Sequence, residues 1–161
     1  MREIEADFER ENKRFKSLMS KDHDDLGRML KCHLVLENYL DRFLAAHYRI
    51  ENLEAAKLTF FQKASLLPDG GSAAAFVKPG ILRLNSIRNR FGHTLQPVLK
   101  VNDLGAISEV LKIARPSVKF KSPVAAIEAF TTVACTWLIV PRAEIQQLFM
   151  DAFSEIRTNA L

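Results

Sequence analysis

The sequence predicts an all-α fold, a single-domain helical bundle of about five to seven helices. Three observations point to it. Apolar residues recur at three- and four-residue spacing in segment after segment, and no stretch alternates apolar and polar residues in strand fashion. Six Gly and six Pro are too few for the many tight turns of an all-β chain. With 161 residues the chain has the length of one domain, 1–161, that buries about 70% of its unfolded surface in one core. A content of 48% hydrophobic and 26% charged residues excludes wholesale disorder and low-complexity classes.

The elements follow in order. Residues 3–19 mix Glu, Arg and Lys with Ile4, Phe8, Phe15 and Leu18, which predicts a charged amphipathic helix peripheral to the core. Asp22, Asp24 and Asp25 supply caps for a second helix over 24–47, striped by Leu26, Met29, Leu30, His33, Leu36, Leu40, Phe43, Leu44 and His47. A third helix is expected over 53–66, with Leu53, Ala56, Phe60, Phe61 and Ala64 facing inward, broken by Pro68-Asp-Gly-Gly. The stretch to Pro79-Gly80 reads as a loop with room for one helical turn at Ala73–Val77. A fourth helix spans 81–95 and a fifth 102–114, each ending ahead of a proline. After the basic, exposed linker Pro116–Pro123, residues 124–140 form a nearly all-round apolar helix, central in the bundle. Pro141 then opens a last helix over 141–157.

Several function classes fall away on composition. Cys32 and Cys135 have no partner at metal spacing and read as small buried residues in a reducing compartment. No clustered ligand set predicts a metal or another cofactor. The start MREIEADFERENKRF is charged throughout, unlike a signal peptide, and the apolar run Val133–Val140 is too short for a bilayer. A cytoplasmic protein without membrane partners is expected.

Charge is concentrated. The chain carries a net +4, yet residues 78–121 alone carry +7: nine basic residues against Asp103 and Glu109. Such an excess attracts an anionic partner, phosphate foremost, unless acids from elsewhere in the fold neutralise it. Within this segment the fourth helix has an apolar stripe of Ile81, Leu84, Ile87, Phe91 and Leu95, and Arg88 falls inside it. An Arg among apolar neighbours needs acceptors or an interface, and Glu37 on the second helix is the candidate acceptor. Asn85, Asn89 and His93 form a polar row at four-residue spacing, and Gly92 leaves room one turn after Arg88. Arg88 and His93 lie five residues apart, so they do not converge within one chain. Two copies across a two-fold axis would bring both pairs into one positive cleft. There a His can transfer protons at a ribose 2′-hydroxyl or 5′-oxygen while an Arg holds the phosphate. Arg83, Arg90 and Lys100 are candidate phosphate contacts beside it.

Arg88-Asn89-Arg90-Phe91-Gly92-His93 resembles the R-x4–6-H motif of HEPN domains, with a polar residue directly after the Arg. The resemblance implies a dimeric, metal-independent RNA endonuclease of toxin–antitoxin or phage-defence type, with an antitoxin or regulatory protein as a further partner. Arg88 and His93 would be catalytic, and Asn89 would orient them. Many HEPN toxins paired with a nucleotidyltransferase antitoxin carry a Tyr two residues past the His, where this chain has Leu95. The superfamily also contains non-catalytic, mannitol-repressor-like regulators and adaptors, which is the second function class. For His93 the plain structural alternative is a helix-terminal histidine set against the dipole. His33 and His47 read as core or interface histidines.

Overall fold

Asp24 and Asp25 place negative charge on the first turn of α1 (Asp24–Tyr48), where the helix dipole favours it. The structure, a computed structural model, describes residues 24–94 and 97–139 together with Lys13. The helices expected over 3–19 and 141–157 lie outside the described residues. All regular structure that is described is helical, as expected.

Along α1, Met29, Cys32, His33, Leu36, Leu40, Phe43 and Leu44 are buried. Leu30 and His47, expected in this stripe, lie at its edge and are exposed. The helix closes at Arg49, which adopts the left-handed conformation with φ 55°.

The single helix expected over 53–66 is two pieces. A 3₁₀ turn, Glu54–Ala56, ends at Lys57 in the left-handed region, and α2 (Phe60–Ser65) then starts afresh. Thr59 caps α2 by accepting from the Gln62 backbone N–H, while the Gln62 side chain accepts from the Thr59 N–H at 2.8 Å. That reciprocal cap turns the phase, so Phe60 and Ala64 are buried while Ala56 and Phe61 are exposed.

Helix α3 (Ala73–Gly92) also departs from expectation, because it runs through Pro79-Gly80 without interruption. Ser72 caps it at Ala75 N. Pro79 denies the Ala75 carbonyl one intrahelical bond, yet the helix is anchored on both sides by burial of Ala73–Val77 and Gly80–Ile81. Gly80 is there for contact: a Cβ on it would come within 2.4 Å of the Phe130 ring.

A 3₁₀ turn, Val101–Asp103, leads to α4 (Ala106–Ala114) through Gly105, whose φ of 49° suits glycine. Finally α5 (Pro123–Leu138) begins with Ser122 as cap and Pro123 at its first position. It is central as predicted, packing on α1, α3 and α4. Phe130, Ile127, Ala134 and Leu138 are almost fully buried. Arg28 of α1 donates to both carboxylate oxygens of Glu128 on α5, at 2.9 and 2.7 Å, and locks the register of that pair. Cys32 and Cys135 are buried free thiols as expected; burial, with Cys32 adding, pushes the Cys135 thiol up to about 11. No described helix is long and apolar enough to cross a membrane.

Candidate functional site

The last turns of α3 carry the residues singled out by the sequence. The first turns of this helix are enclosed, but near its end only Ile87 and Phe91 remain buried. Arg88, Asn89, Arg90, Gly92 and His93 are all exposed. Arg88 therefore does not sit inside the apolar stripe as expected. It lies at the margin of the stripe where neighbouring helices no longer cover it, and its Nη1 donates to Asn89 Oδ1 at 3.2 Å. Its expected acceptor is engaged elsewhere: Glu37 accepts from Lys63 Nζ at 2.9 Å, and Asp41 pairs with the same ammonium at 2.8 Å. This clamp fixes α2 on α1. Burial pulls the Lys63 ammonium down, but the two carboxylates overcome it and raise it above its ordinary value.

The polar row Asn85, Asn89, His93 drifts around the helix, since four-residue steps exceed one turn. Asn85 is buried, whereas Asn89 and His93 face solvent. Asn85 Oδ1 accepts from Nε2–H of His33 at 3.4 Å, and the His33 ring stacks on Phe60 with centroids 4.0 Å apart. His33 thus joins α1, α2 and α3 directly beneath the Arg88 turn. Burial, with the Arg88 charge adding, lowers the His33 pKa against the opposing effects of Asn85 and Glu37. His33 is accordingly neutral at pH 7. A depressed pKa means that its stabilising contribution is full above the unfolded value of about 6.5 and declines as pH falls below it. An NMR titration is expected to place His33 below that value. Arg88→Ala should move it upward by removing a neighbouring positive charge.

His93 is the C-cap of α3; its backbone N–H donates to the Arg90 carbonyl at 3.3 Å and its side chain is exposed. A Cβ on Gly92 would meet nothing within 4 Å, so the surface between Arg88 and His93 is open.

The other candidate cations are differently occupied. Arg83 Nε donates to the Asp103 carbonyl at 2.6 Å, and Arg90 Nη1 to the Asp103 carboxylate at 2.7 Å. Bonds from Arg90 and from the Lys100 backbone N–H hold the Asp103 carboxyl well below the usual carboxylate range. Asp103 thereby ties the end of α3 to the 3₁₀ turn before α4. Lys78 is held by Asp69 at 2.6 Å and Lys112 by Glu109 at 2.7 Å. Of the nine basic residues in 78–121, Arg88, Lys100, Arg115, Lys119 and Lys121 have no carboxylate partner among the described residues, and Arg83 is held by a backbone carbonyl alone.

No family model, curated protein or solved structure matches the chain. The chemistry of the site resides in three groups. They comprise an exposed guanidinium oriented by Asn89, an exposed imidazole at the helix end, and a buried neutral imidazole beneath them. The sequence pattern did not identify the His33–Asn85 pair as a unit. Its one signal was that both residues are polar at positions facing the core.

Proposed function

We propose that the protein is a HEPN-type, metal-independent RNA endonuclease that acts as a homodimer. The observation that carries this reading is the exposed Arg88–Asn89–His93 surface at the end of α3, where the Arg is bonded to Asn89 and to no described carboxylate. A guanidinium left unpaired keeps its capacity to take a phosphate in two parallel hydrogen bonds. His93 supplies the proton-transfer group. Its reaction removes the proton of a ribose 2′-hydroxyl, whose oxygen attacks the adjacent phosphorus. The 5′-oxygen leaves with a proton, and a 2′,3′-cyclic phosphate remains. Arg88 stabilises the charge that gathers on the phosphoryl oxygens.

Arg88 and His93 stand on different sides of the helix end, so the second copy completes the cleft. Leu30 and Leu34, one helix row from His33 on the side of α1 away from the core, are 36% and 65% exposed and offer apolar surface for that two-fold contact. Lys100 lies beyond the helix end as a further phosphate contact. Arg83 and Arg90 act chiefly by placing the Asp103 turn, and Arg90 keeps surface exposure for a phosphate.

The test is incubation of the purified protein with mixed structured and single-stranded RNA in excess EDTA, with product ends identified by phosphatase sensitivity. Cleavage leaving 2′,3′-cyclic phosphate or 3′-phosphate ends is expected. A folded dimer that binds RNA without any turnover would favour the regulator or adaptor reading instead.

A further inference from the structure

A groove of about 380 Å³ lies between α4 and the segment that follows it, and none of Arg88, Asn89 and His93 lines it. Its floor is apolar: Leu104, which ends the 3₁₀ turn before α4, and Leu111 of α4 are buried beneath it, and Pro116, Val118 and Phe120 return over it as the far wall. The wall is shaped by a turn in which the Val118 N–H donates to the Arg115 carbonyl at 3.2 Å. Around the mouth stand Arg115, Lys119 and Lys121, which have no carboxylate partner among the described residues. Ser122 and Pro123, which begin α5, also line it, so the positive end of that helix dipole opens on the groove.

We propose that this groove binds a small amphipathic anion, a single carboxylate or phosphate on an apolar body. Two facts select that class. The volume lies in the range of small-molecule sites, and the lining is mainly apolar with charge confined to the rim. A body rich in hydrogen-bonding groups would be poorly served. The two hydroxyls of the lining are those of Ser108 and Ser122, and Ser122 Oγ already accepts from Ala125 N at 3.2 Å. An unaccompanied inorganic ion would leave the apolar floor unused. An alkyl or aryl chain laid against Leu104, Leu111 and Phe120 gains from burial, and its acidic head meets three cations at the rim.

The experiment is calorimetric titration of the full chain with monomeric decanoate and decyl phosphate, alongside decanol and inorganic phosphate. Variants are Ser108→Phe, which fills the groove from a half-exposed helix position, and Arg115→Gln/Lys119→Gln. Circular dichroism confirms that each variant retains the helical fold. One-to-one binding of the two alkyl anions is expected, with decanol and phosphate each at least tenfold weaker and both variants at least tenfold weaker for the anions. Decanol binding as tightly as decanoate would overturn the proposal, as would anion binding unchanged in Ser108→Phe. So would the absence of anion binding to the wild type. Adsorption to anionic vesicles that persists in Ser108→Phe, without binding of the monomeric anions, would assign the cations to a membrane surface and overturn it too.

Discussion

His93→Ala and Arg88→Ala are each expected to reduce RNA cleavage by about 10²- to 10⁴-fold, the usual contribution of a positioned proton-transfer group or an oxyanion-stabilising donor. Both side chains are exposed, so both variants should fold. The unfolding midpoint should shift little for His93→Ala. For Arg88→Ala it should likewise shift little, since its exposed guanidinium bonds to the equally exposed Asn89. Asn89→Ala should cost less, because Asn89 touches the site through its 3.2 Å bond from Arg88. Arg88→Lys should not rescue, since an ammonium lacks the planar fork that takes a phosphate in two bonds. Initial rates on a defined RNA, measured beside thermal denaturation of the same samples, separate loss of chemistry from loss of fold.

The second large effect is on stability. Phe130→Ala should destabilise the protein by about 3–5 kcal/mol, the range for deleting a buried aromatic ring and leaving a cavity. Phe130 is fully buried on the central helix and closes against Gly80 of α3. The same contact reverses an ordinary rule. Gly→Ala within a helix usually stabilises by about 0.5–1 kcal/mol. At Gly80 the new methyl would stand 2.4 Å from one ring carbon and 2.5 Å from another, and a ring held on all sides cannot retreat. Gly80→Ala should therefore destabilise by about 1–3 kcal/mol, the scale of overpacking a core. In the Phe130→Leu background that penalty should shrink, because the smaller side chain vacates the space. Urea denaturation of the double-mutant cycle reads this coupling directly.

The elements whose signals are local were legible in the sequence. α1 was readable from its acidic first turn and long stripe, and α5 from its apolar run. The break at Lys57 escaped because the stripe from Leu53 to Ala64 keeps helical spacing across it. The signal that could have revealed it is Thr59-x-x-Gln62, a capping pair that opens a new helix. Pro79-Gly80 misled for a tertiary reason. A proline in the second turn costs one hydrogen bond, and the packing of Gly80 on Phe130 is invisible without the partner helix.

At the site, the sequence located Arg88, Asn89 and His93 on one helix end. It misjudged the burial of Arg88, since helical phase says which way a residue points and not how far the neighbouring helices extend. It likewise could not assign Glu37 to Lys63, or Asp103 to Arg83 and Arg90, because those partners meet only in the fold. The +7 segment thus resolves into cations that hold the fold, those around Arg88, and those at the rim of the groove beside α4.

Mixing the two inactive variants tests the shared cleft most directly. Arg88→Ala and His93→Ala homodimers would each lack one of the two required groups. A mixed dimer would contain one intact Arg88 and one intact His93 on opposite chains. After subunit exchange, verified by light scattering and by native mass spectrometry of tagged chains, cleavage in EDTA should reappear in the mixture while each variant alone stays silent. A mixture that remains silent although mixed dimers have formed would contradict a cleft built from both copies. Wild-type-like cleavage by either variant alone would contradict the assignment of its residue.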